Sequence, residues 1–140
     1  MTRDIDIVLE IAERDIDRFV ALFEKDFYTH KPSVIEEVKR RGMFNFIDNI
    51  EGYKVDFILK KNVLYHKTEF DRRRRGSALG VTAWMVAPED LLISKLIWIQ
   101  QLQSEKQIDD IKGLLDYPDL DKTYIDYWCK ELNLHTFGLL

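Results

Sequence analysis

The stretch Asp4-Ile5-Asp6-Ile7-Val8-Leu9-Glu10-Ile11 places Asp4, Asp6 and Glu10 on even positions and Ile5, Ile7, Leu9 and Ile11 on odd ones. Successive side chains of a strand point to opposite faces, so this segment has one aliphatic face and one carboxylate face. Such a strand must join a sheet that is covered by a core on one side only. Few other features constrain the fold as tightly.

The pattern that follows is helical. Ile16, Phe19, Val20, Phe23 and Phe27 recur at three- and four-residue steps, which predicts a helix with Asp15 as its cap or first-turn acid. Pro32 and Ser33 open a short helix with Val34, Ile35 and Val38 inward, ending near Gly42. Met43 to Ile47, the turn Asn49-Ile50-Glu51-Gly52 and Tyr53 to Leu59 then read as a hairpin. In its second strand Val55, Phe57 and Leu59 share one face, while Lys54, Asp56 and Ile58 share the other. An acid in so apolar a strand is costly unless paired or bound to a cation.

From Lys60 to Gly80 the periodicity weakens. Phe70-Asp71 and the run Arg72-Arg73-Arg74-Arg75 read as a short helix or loop stopped by Gly76 and Gly80. Arginines of this kind can contact phosphate or an RNA backbone, but four in a row point all round a helix, so at most one or two can face a given ligand and a solvated surface is the simpler reading. A strand over Val81–Val86 precedes a long helix opened by Pro88-Glu89-Asp90, whose acids suit a first turn. Ser104 and Gln107 are spaced as a capping box for a helix carrying Ile108, Ile111, Leu114 and Leu115. A last helix runs from about Lys122 to Leu132, and Trp98 and Trp128 read as core. The expected class is α+β: one domain over 1–140, with a small mixed sheet packed on helices in 1–86 and a helical part in 87–140.

Composition removes several functions. The 25 acids and 21 bases leave a formal charge of −4, unlike the broad basic surface of a nucleic-acid coat protein. Cys129 is the only cysteine, and His30, His66 and His135 are scattered, so no zinc spacing or intrachain disulfide framework exists. No apolar run approaches the roughly 18 residues that span a bilayer. Charges occupy the start where a signal peptide needs its apolar region. The expected setting is cytoplasmic.

Asp4 and Asp6 share a strand face about 7 Å apart, and Asp56 lies on a strand that can stand beside them. Clustered carboxylates repel and favour a hard divalent cation with oxygen ligands, Mg²⁺ where phosphate is present. A solvated polar strand face explains the same Asp-x-Asp spacing.

The order Asp4-Ile5-Asp6, Lys54-Val55-Asp56, Pro88-Glu89-Asp90-Leu91 and Ser94-Lys95 resembles the nucleotidyltransferase (polymerase-beta-like) superfamily, in particular its minimal and AbiEii-type abortive-infection branch. The resemblance extends from Thr2 to about Leu134. It implies that Asp4, Asp6 and Asp56 bind Mg²⁺ and catalyse, that Lys95 holds the triphosphate, and that Asp110 completes the nucleotide site. It implies transfer of an NMP group from an NTP to a hydroxyl of tRNA, protein or a small molecule, with toxin-like activity and an antitoxin partner. The family's phosphate-cradling Gly-Ser turn precedes its first acid, whereas only Thr2-Arg3 precedes Asp4 after the initial methionine. Gly76-Ser77 lies far downstream.

Two further readings stand beside this one. A shortened, catalytically impaired module would bind a partner or pair as a homodimer through an open edge of the first strand. A metal-dependent nuclease is suggested by Asp56 and Lys60, but Ile58 stands where such a site wants its second acid. Lys95 and Asp110 also have structural readings, an inward lysine needing a charged partner and an exposed helix acid.

Overall fold

The computed structural model describes residues 5–78 and 80–140, and the chain divides into two compact units, Met1–Val63 and Leu64–Leu140. The first contains β1 (Ile5–Leu9), a 3-10 turn (Glu13–Asp15), α1 (Ile16–Phe23), β2 (Phe27–Tyr28), α2 (Lys31–Arg40), β3 (Met43–Asp48) and β4 (Lys54–Leu59). Its strands form a mixed sheet in the order β1-β4-β3-β2, with β1 parallel to β4 and the other pairs antiparallel. The β3–β4 turn closes at Gly52, whose φ of 74° lies in the left-handed region that glycine enters without a Cβ clash.

Helices α1 and α2 cover one face of this sheet. Ile16, Val20, Val34 and Val38 pack on Phe44, Phe46, Val55, Phe57 and Leu59, the alternate residues of β3 and β4. Phe19, Phe23, Phe44, Phe46 and Phe57 form a cluster with ring centroids 5.2 to 6.3 Å apart in tilted, edge-on and stacked pairs. These geometries suit ring quadrupoles, and each buried ring contributes roughly 2–3 kcal/mol from apolar burial. The opposite face, with Asp6, Val8, Met43, Asn45, Lys54 and Asp56, is exposed or half-buried.

One periodic signal crosses an element boundary. Phe27 continues the α1 stripe in sequence, yet it lies in β2 opposite Asp48, because α1 ends at Phe23. Its ring still meets Phe23 at 5.7 Å, so the same core is filled from a strand. At the end of α2, Arg41 takes the left-handed position (φ 54°), and its guanidinium donates to Lys60 O at 2.8 Å.

The second unit contains α3 (Leu64–Asp71), β5 (Arg74–Ala78), β6 (Val81–Met85), α4 (Pro88–Ile99), α5 (Glu105–Leu115) and α6 (Lys122–Glu131). Leu92, Ile93, Leu96 and Ile99 of α4 pack with Tyr65, Ile111, Ile125, Trp128 and Cys129. Ser104 Oγ accepts from Gln107 N (3.1 Å) and Asp121 Oδ1 from Tyr124 N (3.0 Å), so α5 and α6 both begin on side-chain caps. Trp98, expected in the core, is 57% exposed, since helical spacing carries residue 98 off the side shared by 92, 93, 96 and 99.

The arginine run also departs from expectation. Phe70 and Asp71 do end a helix, α3, and Arg72 and Arg73 lie in the turn after it, but Arg74 and Arg75 begin β5, which pairs antiparallel with β6. Gly76 stops nothing; it sits mid-strand opposite Ala83, where an added Cβ would come within 2.6 Å of Met85 Sδ. The architecture is α+β, with a mixed sheet first and three successive helices last. Among the described residues, no helix is long and apolar enough to cross a membrane.

Candidate functional site

The β1–β4 register sets Asp6 opposite Asp56, and the β3–β4 register sets Asn45 opposite Asp56 on its other side. Paired residues share a face, so Asn45, Asp56 and Asp6 form one row across three neighbouring strands, away from α1 and α2. Strands lie about 4.8 Å apart, and like charges directly opposite one another are destabilising. Asp6 is exposed and Asp56 half-buried. Asp4 lies outside the described residues.

Asp56 interrupts an apolar strand for a simple reason: it stands on the uncovered face, between Lys54 and Ile58, while Val55, Phe57 and Leu59 enter the core. Solvent therefore removes part of the burial penalty that its sequence context suggests. Among the described residues, no group of three His, Cys, Asp or Glu side chains converges as a metal site. The next acid in the chain, Glu10 just after β1, is bound to Lys60 Nζ at 3.1 Å and lies 3.8 Å from Arg41. Lys60 is thus one partner of Glu10.

Asn45 also lines an open hollow of about 450 Å³ with Tyr28, His30, Ser33, Val34, Glu37, Met43 and Phe44. That size falls within the range of small-ligand sites. Its acid, Glu37, is held below the ordinary carboxyl range by the hydrogen bond from Arg40.

Lys95 and Asp110 belong to the second unit. Lys95 Nζ donates to Asp110 Oδ2 at 2.9 Å and to Gln107 Oε1 at 3.1 Å, joining α4 to α5. The inward lysine has the charged partner that its surroundings demand, and Gln107 serves it instead of completing the capping box with its side chain.

The most buried polar cluster of the second unit is centred on acids that the sequence marks only as first-turn residues. Asp90 is wholly buried; its Oδ1 accepts from Tyr124 OH at 2.6 Å and Tyr65 OH at 3.1 Å, and its Oδ2 from Arg72 Nε at 3.0 Å. Glu89 Oε1 accepts from Asp121 N at 3.0 Å. Glu69 Oε2 accepts from Ser94 Oγ at 2.7 Å and Tyr65 OH at 3.2 Å. Burial pushes Glu69 up, against those two hydrogen bonds. Burial raises the Tyr65 and Tyr124 hydroxyls too, helped at Tyr65 by the nearby Glu69 charge and at both by Asp90. For Arg72, burial acts to lower the value, but the hydrogen bond and charge of Asp90 outweigh it and raise it. A helix as apolar as α4 is buried nearly all round, and that was the sequence signal that its opening acids would be buried with it.

Among the described residues, no buried side-chain nitrogen or oxygen lacks a hydrogen-bond partner. The Asp90 cluster therefore has its bonding capacity spent internally, and it reads as a fastening between α3, α4 and α6. The Asp6–Asp56 row, on an open sheet face, is the better placed of the two to meet a ligand. No protein-family model, curated protein or solved structure matches the chain.

Proposed function

We propose that this chain is a Mg²⁺-dependent nucleotidyltransferase-like protein that moves an NMP group from an NTP to a hydroxyl acceptor on tRNA, protein or a small molecule. The observation that supports it is the register that sets Asp6 directly opposite Asp56 on the open face of a mixed sheet, with Asn45 continuing the row. All three side chains offer oxygen donors, and water reaches them, which fits an ion that retains much of its hydration shell. Asp4, Asp6 and Asp56 are the residues that would hold the ion. A bound Mg²⁺ supplies charge neutralisation for the phosphates. Asp56 takes the proton of the acceptor hydroxyl as its oxygen bonds to the α-phosphorus, and the bond from that phosphorus to the pyrophosphate oxygen breaks.

Calorimetry with Mg²⁺ and a non-hydrolysable NTP tests this reading, followed by transfer of an α-phosphate label to RNA or protein. Mg²⁺-dependent binding that is lost in Asp6→Asn and Asp56→Asn is the expected result. Wild-type protein that binds no NTP with or without Mg²⁺ overturns it.

A second reading, a catalytically impaired module of the same kind that binds a partner or pairs with itself, is favoured by one contact. The Lys95 ammonium assigned by resemblance to the triphosphate is already bonded to Asp110 and Gln107. A stable dimer in sedimentation, with neither label transfer nor Mg²⁺-dependent binding, would select this reading.

A further inference from the structure

The four consecutive arginines are sorted by the fold into three environments. Arg72 turns inward, its Nε on Asp90 and its guanidinium 3.8 Å over the Tyr124 ring. Arg74 lies 4.0 Å from Glu89. Arg73 and Arg75 take part in none of the ion pairs seen among the described residues. They gather instead on one exposed indole: their guanidinium carbons lie 4.9 and 5.0 Å from the centroid of the Trp84 ring. Arg73 is also fixed from behind, 4.3 Å over Phe70 and bonded to the Phe70 carbonyl at 2.7 Å.

Strand pairing explains the grouping. Arg75 is directly opposite Trp84, and the next pair on that face is Ser77 opposite Thr82. Two guanidiniums, an indole and two hydroxyls thus line one side of the β5–β6 ribbon. Arg74, Gly76, Ala83 and Met85 occupy the other side. Trp84 is 55% exposed, and every residue of β6 is exposed.

We infer that this outer face of the ribbon binds single-stranded nucleic acid, with Arg73 and Arg75 on phosphates and Trp84 stacking a base. Charge complementarity carries the choice of partner. On a chain of net charge −4, two cations that form no ion pair among the described residues make a local anion site and not a general one. Guanidiniums gathered over an aromatic ring are held in place by the cation–π attraction and retain N–H donors for phosphate oxygens. The exposed indole needs an unstacked base, which a duplex does not offer. This surface is independent of the Asp6–Asp56 row, so failure of the metal and nucleotide test leaves it standing.

The test is fluorescence anisotropy with a labelled single-stranded RNA of about twelve nucleotides and mixed sequence. Heparin, a polyanion without bases, is run beside it, and both are titrated at several salt concentrations. The wild-type protein should bind the RNA at low salt. Trp84→Ala should weaken RNA binding about tenfold, as loss of one stacked base does, and leave heparin binding unchanged. Arg73→Gln and Arg75→Gln should each reduce the salt slope by about 0.7, while Arg74→Gln on the other face should not. Thermal melts of each variant establish that the fold persists. Three results overturn the inference: no RNA binding at low salt, RNA binding by folded Trp84→Ala equal to wild type, or a wild-type dimer that dissociates in Trp84→Ala. The last would make the face a contact between two copies of this chain.

Discussion

The two units fill their interiors by opposite means. In the first, α1 and α2 press a phenylalanine cluster onto β3 and β4, and the buried set is entirely apolar. In the second, an aliphatic core around α4 adjoins the buried acids Glu69, Glu89 and Asp90, satisfied by tyrosine, serine, arginine and backbone donors. An apolar core is specified by volume and shape and accepts neighbours of similar size. A buried hydrogen-bonded cluster is specified by direction and charge, and every member depends on the others. Helix starts do not divide along the same line: α1 and α2 of the first unit and α4 of the second have no side-chain cap, whereas α5 and α6 do.

The sharpest way to break this comparison is Asp90→Ala. Removing the carboxylate takes the acceptor of the Tyr124 hydroxyl and the nearer partner of Arg72, and leaves Tyr65 with the side chain of Glu69, so the expected loss is about 3–5 kcal/mol. All three tryptophans, Trp84, Trp98 and Trp128, lie in the second unit, so the urea midpoint of tryptophan fluorescence reads that loss. Phe57→Leu in the first unit should cost only about 1.5 kcal/mol, followed by far-ultraviolet circular dichroism. A loss as large as that of Asp90→Ala would erase the distinction.

Ser104→Ala should cost about 1 kcal/mol by removing the α5 cap, again seen in tryptophan fluorescence. The Lys95–Asp110 pair, 19% and 41% exposed, should show a coupling of at most about 1 kcal/mol in a double-mutant cycle.

The finest test is one of slope. Burial raises the folded-state value of Glu69 above its ordinary 4.5, so the folded chain holds a proton that the unfolded chain releases. That contribution is complete below pH 4.5 and fades as pH rises through the raised value. Glu69→Gln keeps an acceptor for Ser94 and Tyr65 but cannot ionise. Its melting temperature should therefore gain on that of wild type as pH rises from 4.5 towards neutrality, and parallel curves would count against a raised value.

Much of the fold was legible because periodicity is a local property. The parity of Asp6 and of Asp56 on their strands follows from alternation alone, as does the inward set Val55, Phe57 and Leu59. The helix starts at Pro88 and Ser104 follow from residues adjacent to them. The strand β5 was not legible, since Arg74-Arg75-Gly76 has neither alternation nor β-branched residues; pairing with β6 makes it a strand. Phe27 was misplaced because a core-facing residue keeps the helical rhythm even from a neighbouring strand. Trp98 was misplaced because a bulky apolar residue in a buried helix can still fall on its open side.

By itself, then, the sequence determined most element types, β2 and β5 excepted, and which side chains share a face, because both depend on neighbours within a few residues. Only the tertiary structure decided that β1 lies beside β4, so that Asp6 meets Asp56. Only it decided that the adjacent arginines part, Arg72 to Asp90 and Arg73 and Arg75 to Trp84. Those outcomes turn on contacts between distant segments, where burial and charge pairing outweigh local preference, and no spacing along the chain encodes which distant partner will be nearest.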